Sequence, residues 1–290
     1  MTPLKVRFWG TRGSIPAPGK STLKYGGNTS CVEVRHGDDV YIFDSGTGIR
    51  ELGMDMMGRN PGQAKRGHIF IGHTHWDHIQ GFPFFVPAYI PKNKFTIHSV
   101  KSIGDSFENI FRRQMGINYF PVEVGDMASQ LEFHHIDTRP YEAEDAVVKT
   151  IYTNHPGVNL AYRLDFPGGR SVVYLTDHEN HAAFSGPSEL ALRQDRCIED
   201  FCRNADLLIC DSQYTDEEYE LKRGWGHSRW KDSVDLGIKA EVKRLALFHH
   251  EPVRSDDALD AIAVEARSIA GKRGSSIDVF CAEESKGVAL

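Results

Sequence analysis

Four apolar segments of the chain end within a few residues of a side chain that can bind a metal ion. The pairs are Ile71 with His73, Tyr152 with His155, Leu175 with Asp177, and Phe248 with His249. Short apolar runs are typical of buried strands, and in layered α/β folds the loops at one edge of a sheet assemble the functional site. The pattern therefore predicts a layered α/β fold whose strand ends bring these side chains together.

The first half of the chain is rich in strand-like segments, and the second half alternates strands with helices. Predicted strands cover residues 5–9, 31–34, 40–43, 67–71, 95–99, 131–136, 147–154, 160–164, 171–175, 207–211, 245–248 and 277–281. Predicted helices cover residues 47–57, 187–203, 228–242 and 258–270. Because no repeat, low-complexity run or long linker interrupts this series, we expect residues 1–290 to form one domain.

Composition excludes several classes of protein. With 40% hydrophobic and 26% charged residues, the chain is neither disordered, nor collagen-like, nor a coiled-coil rod. Its 34 basic and 40 acidic residues give a net charge of −6, which argues against broad binding to a nucleic-acid backbone.

The sequence also predicts a cytoplasmic protein without a membrane segment. No apolar stretch approaches the ~18 residues that span a bilayer, and the polar, basic start differs from a signal peptide. The five cysteines are scattered and none forms a C-x-x-C pair, so we expect reduced and mostly buried thiols.

The densest group of metal-capable residues is the segment His73-Thr74-His75-Trp76-Asp77-His78. In an extended loop, alternate residues project to one side, so His73 and His75 can serve one centre while Asp77 and His78 serve a second. Neutral imidazole and carboxylate suit zinc and similar divalent ions. Six residues cannot complete two coordination shells, and His155, Asp177 and His249 at the other strand ends supply further ligands.

These motifs resemble those of metallo-β-lactamase-fold hydrolases, in particular the phosphodiesterase branch that contains tRNA 3′-processing endonuclease (tRNase Z) and cyclic-nucleotide phosphodiesterase-like enzymes. The opening turn at residues 8–16, the second strand start at 27–30 and the Asp-x-Gly turn at 43–48 extend the resemblance along almost the whole chain. It implies a four-layer αββα sandwich (α/β, or α+β in some schemes) with metals at the sheet edges. A homodimer is a further expectation from the resemblance.

Carried over by position, the resemblance assigns seven ligands to two divalent metal ions, Zn²⁺ or alternatively Mn²⁺ or Fe²⁺. The first ion would be held by His73, His75 and His155. The second would be held by Asp77, His78 and His249, and Asp177 would bridge the two. His75 stands where the flavo-diiron branch has Glu, and Asp177 stands where lactamases often have Cys. Oxygen reduction and antibiotic hydrolysis are therefore disfavoured.

The resemblance also suggests how a phosphodiester would be cleaved. Two divalent ions can share a water whose pKa falls to about 7, so that it is available as a hydroxide nucleophile at neutral pH. We count the ligand Asp77 among the catalytic residues. His227 would bind the phosphate and protonate the leaving oxygen, with Asp211 orienting its ring. The alternative for His227 is a place beside an N-capping Ser228. Arg12 is a candidate phosphate ligand, with a structural ion pair as its alternative.

Residues 80–138 are the expected specificity insertion. Its aromatic and proline-rich stretch, residues 81–91, has three open roles: stacking on a nucleobase, forming an interface, or filling the core.

The leading hypothesis is a metal-dependent phosphodiesterase for a small nucleotide-like or cyclic phosphodiester. The alternatives are an RNA 3′-processing endonuclease, a thioester or lactone hydrolase on the same metals, and a non-catalytic ligand sensor. The negative charge and the lack of a Gly/Pro-rich basic arm lower the expectation for RNA.

Overall fold

The computed structural model describes residues 2–100 and 105–290. Its strands are β1 (Leu4–Gly10), β2 (Cys31–His36), β3 (Asp39–Phe43), β4 (Arg66–Phe70), β5 (Lys94–Val100), β6 (Gln130–Ile136), β7 (Tyr141–Ala143), β8 (Ala146–Tyr152), β9 (Leu160–Phe166), β10 (Arg170–Leu175), β11 (Leu207–Asp211), β12 (Arg244–Phe248), β13 (Asp278–Cys281) and β14 (Gly287–Ala289). Its α-helices are α1 (Ile49–Gly58), α2 (Trp76–Ile79), α3 (Phe107–Arg113), α4 (His181–Ser185), α5 (Glu189–Cys202), α6 (Asp216–Lys222), α7 (Trp230–Lys239) and α8 (Asp256–Lys272).

The strands form two mixed sheets of seven strands each. The first sheet has the order β14-β1-β2-β3-β4-β5-β6, and the second has the order β13-β12-β11-β10-β9-β8-β7. Each sheet is antiparallel on one side and parallel on the other, with β3 to β6 parallel in the first and β10 to β13 parallel in the second. Parallel neighbours place their carboxyl ends at one edge, which is where the predicted site residues follow.

Three apolar cores separate four layers. The largest lies between the sheets, where the rings of Phe43 and Tyr174 stack with centroids 4.8 Å apart. A second lies between the second sheet and helices α5, α7 and α8, and a third covers the outer face of the first sheet beneath α1. Burial of apolar area on both faces of each sheet holds the layers together. The predicted αββα sandwich is therefore confirmed.

Local sequence explains where the longer helices begin. Ser188 caps α5 and Ser255 caps α8, each accepting a hydrogen bond from a backbone N–H three residues later. Thr215 and Glu218 form a capping box at the start of α6. Every predicted strand and helix overlaps an observed one, whereas α2, α3, α4, α6, β7 and β14 were not predicted.

The expected specificity insertion contributes two strands to the first sheet, β5 and β6. Within its aromatic stretch, Phe82 and Phe85 are fully buried in the outer core, while Phe84 is exposed and packs edge-on against Phe120. Residues 101–104 of this insertion lie outside the described residues. For most of the stretch, filling the core is the role that the packing supports.

All five cysteines are free and four are buried, as predicted. Among the helices of residues 2–100 and 105–290, none combines the length and the apolar character that crossing a membrane requires.

Candidate metal centre

The carboxyl ends of four strands and one short helix bring the predicted ligands together. His73 follows β4, His155 follows β8, Asp177 follows β10 and His249 follows β12, while Asp77 and His78 lie in α2. Asp177 and His249 have positive φ angles of 51° and 59°. Left-handed backbone is uncommon for residues other than glycine, and it clusters at functional sites where the surrounding structure holds it.

We use the term histidine set for His73, His75 and His155. The Nδ1 of His75 lies 3.2 Å from the Nε2 of His155. The Oδ2 of Asp177 lies 3.6 Å from the Nε2 of His73 and 3.7 Å from the Nε2 of His155. Three imidazoles and one carboxylate oxygen therefore converge on one point.

We use the term buried set for Asp77, His78 and His249. The Oδ2 of Asp77 lies 3.2 Å from the Nε2 of His78 and 3.1 Å from the Nε2 of His249. The Oδ1 of Asp177 lies 3.2 Å from the first of these nitrogens and 3.3 Å from the second. Because one oxygen of Asp177 faces each set, this carboxylate has the position of a bridge.

Hydrogen bonds outside the buried set fix its ring orientations. The Nδ1–H of His78 donates to Asp44 Oδ2 at 2.6 Å, and the Nδ1–H of His249 donates to Gln213 Oε1 at 3.0 Å. Asp44 is itself held by the hydroxyl of Tyr174 at 2.7 Å. Each Nδ1–H bond leaves the Nε2 lone pair for a metal, which is how ligand histidines are oriented in metal sites.

Burial and charge set the protonation of these groups. Burial lowers the pKa of His155 to about 4 and holds that of His73 well below its usual range, which favours the neutral imidazole that a metal requires. Burial alone would raise the pKa of Asp177, but the facing His249 and His78 outweigh it and hold that pKa well below its usual range. The bridge carboxylate is therefore ionised at neutral pH.

These residues fit a pair of divalent cations. Both ring nitrogens of His73 and the Nε2 of His78 are buried without a hydrogen-bond partner, which is a costly state unless a ligand occupies the centre. Ligands that bind one Zn²⁺ at ~2.0–2.2 Å in tetrahedral geometry lie about 3.3–3.6 Å apart. The distances within each set are close to this range.

His227 and Asp211 lie beside the two sets. The Nδ1–H of His227 donates to Asp211 Oδ2 at 2.7 Å, and the His227 ring lies 5.0 Å from that of His249 and 5.2 Å from that of His155, between centroids. One ligand atom from each of His227, Asp211, Asp177 and His249 falls within 4.8 Å of the others. The N-capping alternative does not describe this region, because α7 has Arg229 at its N-cap and the Ser228 hydroxyl donates to the carbonyl of His178.

The contacts of Arg12 favour a structural role over contact with the substrate. The side chain is fully buried, and its guanidinium donates to the carbonyls of Gly26, Glu251 and Arg254. The nearest carboxylate, Asp256, lies 4.0 Å away. Arg12 therefore ties the opening turn to the loop before α8 and offers no accessible donor to a phosphate.

Sequence reasoning missed two features of this edge. Gln213, the partner of His249, carried no signal beyond its place two residues after Asp211. Trp76 and Trp225 are 77% and 60% exposed, although tryptophan is usually well buried. The sequence signal for them was their position in the chain, since Trp76 follows the ligand candidate His75 and Trp225 precedes Gly226.

The family model described as "Beta-lactamase superfamily domain" matches residues 40–250. Ribonuclease Z of Sulfurisphaera tokodaii is 26% identical over 92% of this chain and 93% of its own length. Ribonuclease Z of Haloarcula marismortui is 23% identical over 91% of each chain.

The fold is also similar to that of solved structures. Unliganded yeast PDE1 superposes with a TM-score of 0.71 at 13% identity, with all of both chains covered. The family model covers residues 40–250, well over half of the 290-residue chain, and the fold agrees with it. The family predicted from the sequence is thus confirmed, and the chain belongs to the metallo-β-lactamase superfamily of metal-dependent hydrolases.

Proposed function

We propose that this hydrolase is a phosphodiesterase that cleaves a small nucleotide-like or cyclic phosphodiester. The observation that carries the proposal is the His227–Asp211 pair beside the two ligand sets. Phosphodiester cleavage needs both an activated water and a proton for the departing oxygen, and this edge of the sheets offers groups for both tasks.

In this proposal the histidine set would hold one divalent ion and the buried set the other, and Asp177 would contribute one oxygen to each. Two such ions lower the pKa of a bound water towards about 7 and neutralise charge that develops on the phosphate. Zn²⁺ suits the mixed imidazole and carboxylate donors, and Mn²⁺ or Fe²⁺ are the alternatives. Asp77 and Asp177 contribute the negative charge that retains the cations.

His227 serves as the proton donor. Its bond to Asp211 fixes the ring through Nδ1 and leaves Nε2 to face a substrate oxygen. The Asp211 carboxylate also stabilises the charged imidazolium, as a buried carboxylate does for a catalytic histidine. A thiolate leaving group requires no such proton, so the pair favours phosphodiester over thioester hydrolysis.

Exposed aromatic side chains support a substrate that carries a nucleobase. Trp76 follows His75 in the chain, and Trp225 precedes Gly226, whose carbonyl contacts His155. Both indoles are exposed. A base stacked on such a ring gains ~1–3 kcal/mol.

RNA 3′-end processing is the second candidate, and the ribonuclease Z relatives favour it. The charge of the specificity insertion argues against it. Residues 80–138 contain five Lys and Arg against six Asp and Glu, a net charge of 5 − 6 = −1. Binding of a tRNA backbone requires a basic surface.

The test is a comparison of substrates with metal-analysed protein. We expect wild-type protein to cleave bis(p-nitrophenyl) phosphate and cyclic nucleotides, and His227→Ala to lose about 10²–10⁴-fold in kcat on the cyclic nucleotide. The loss with bis(p-nitrophenyl) phosphate should be much smaller, because p-nitrophenolate leaves without a proton. Preferential cleavage of precursor tRNA would favour the second candidate, and equal losses on both small substrates would remove His227 as the proton donor.

A further inference from the structure

A tight turn connects the histidine set to the proton donor. The carbonyl of Gly226 accepts a hydrogen bond from His155 Nδ1 at 3.0 Å, and the next residue in the chain is His227. Gly224 and Gly226 both have φ angles near +90°, at 87° and 88°. A Cβ on Gly226 would lie 2.3 Å from His155 Nδ1, so only glycine permits this approach.

One buried carboxylate holds this turn. Glu179 Oε1 accepts from the backbone N–H of Gly224 at 2.9 Å, and Oε2 accepts from that of Gly226 at 3.1 Å. The hydroxyl of Tyr219 donates to Oε1 at 2.7 Å. Glu179 is only 2% exposed. A carboxyl group this buried needs hydrogen-bond partners, and the turn and Tyr219 supply them.

The backbone of Glu179 is fixed to the loop that carries His155. Its N–H donates to the carbonyl of Asn154 at 2.9 Å, and its carbonyl accepts from the Asn154 side-chain amide at 2.9 Å. Glu179 also lies two residues after Asp177. A single residue thus links the loop that follows β8, the loop that follows β10 and the Gly224–Gly226 turn.

We propose that Glu179 is a positioning residue that fixes the Gly224–Gly226 turn and, through it, sets both the ring of His155 and the place of His227. The part that concerns His227 rests on the proposed function. The part that concerns His155 does not, because it predicts an effect on metal affinity alone.

Glu179→Gln is the sharpest variant. The amide is nearly the same size, but its NH₂ group cannot accept the backbone N–H that one carboxylate oxygen accepts. We expect metal affinity at one of the two sites to fall by about 10–100-fold, as for other groups that orient a ligand. At saturating metal, we expect kcat on a cyclic nucleotide to fall at least tenfold with little change in KM, and kcat on bis(p-nitrophenyl) phosphate to change less than threefold.

Two further variants control for packing and charge. Glu33→Gln removes an equally buried carboxylate that binds Trp9 and Arg59 on the outer side of the first sheet, and it should leave both activities and metal affinity unchanged. Tyr219→Phe removes one hydrogen bond to Glu179 but keeps both contacts to the turn, so its effect should stay below threefold. If Glu179→Gln does not fold, Glu179→Asp provides a milder retraction of the carboxylate with effects in the same direction.

The outcomes separate the two proposals. If wild-type protein and His227→Ala behave as proposed but Glu179→Gln retains wild-type metal affinity and substrate ratio, the role of Glu179 is overturned while the function stands. Equal losses on both substrates at saturating metal, or a Tyr219→Phe effect as large as that of Glu179→Gln, would also overturn it. If His227→Ala shows no dependence on the leaving group, the proposed function fails, and the metal affinity of Glu179→Gln still decides its effect on His155.

Discussion

The two ligand sets differ in how the protein holds them. In the buried set, Asp77 is nearly buried and both histidines are fully buried, and side chains from other strands fix both rings. In the histidine set, His75 is exposed and His155 is held by a backbone carbonyl. The difference indicates one rigid, enclosed centre beside one open centre, and it places the open centre where a substrate can reach it.

Metal removal has the largest expected effect. Under mild chelation, we expect the ion of the histidine set to leave first and that of the buried set to leave more slowly, because solvent and chelator reach the exposed His75. Activity should disappear with the first ion, since a two-metal mechanism needs both. Metal analysis during the time course measures this. Loss of both ions in a single phase would contradict the asymmetry.

Asp44→Asn tests the rigidity of the buried set. The amide cannot serve both Gly72 N–H and His78 Nδ1–H as the carboxylate does, and it leaves His78 without a firm orientation. We expect about 10–100-fold weaker metal binding at this set. The slow phase of chelation should accelerate while the fast phase is unchanged. Acceleration of the fast phase alone would mean that the sets are assigned the wrong way round.

Gln213→Leu removes the other orienting contact of the buried set. Its carboxamide forms hydrogen bonds with both His249 and Glu251, so the substitution removes both bonds. We expect a metal-affinity loss of about tenfold, smaller than for Asp44→Asn because a neutral hydrogen bond is weaker than a charged one. Competition with a metal-binding dye measures it. A larger loss than for Asp44→Asn would show that charge is not the decisive property.

Trp225→Ala tests whether a substrate base binds near the histidine set, the more exposed of the two sets. It has the smallest expected effect. If its indole stacks on a base, KM for a cyclic nucleotide should rise about fivefold, which corresponds to ~1 kcal/mol. KM for a base-free cyclic phosphodiester and the metal content should not change. An equal rise for both substrates would indicate a general change in the turn. Leu221→Ala is a matched control, because Leu221 is also highly exposed.

The sequence was informative wherever a short-range pattern carried the signal. The alternation of apolar segments with metal-capable residues predicted the layers and the strand ends, and the segment at residues 73–78 indicated the ligands. The short helices α2, α3, α4 and α6 gave no such signal, because four to seven residues span fewer than two helical turns, and the three-residue strands β7 and β14 are shorter than any predicted strand. Arg12 shows where such patterns end: its place in the opening turn left both substrate contact and a structural role open, because the three carbonyls that it binds are brought to it by folding alone.

The sequence by itself determined which side chains could bind metal and that they follow strands, because ligand chemistry and apolar periodicity are local properties. Only the tertiary structure decided which oxygen of Asp177 faces which set, which histidine is enclosed, and that Glu179 holds the turn before His227. Those features depend on contacts between residues far apart in the chain, such as Glu179 with Gly226 and Asp44 with Tyr174. No local pattern encodes the directions in which these side chains point once the two sheets have packed.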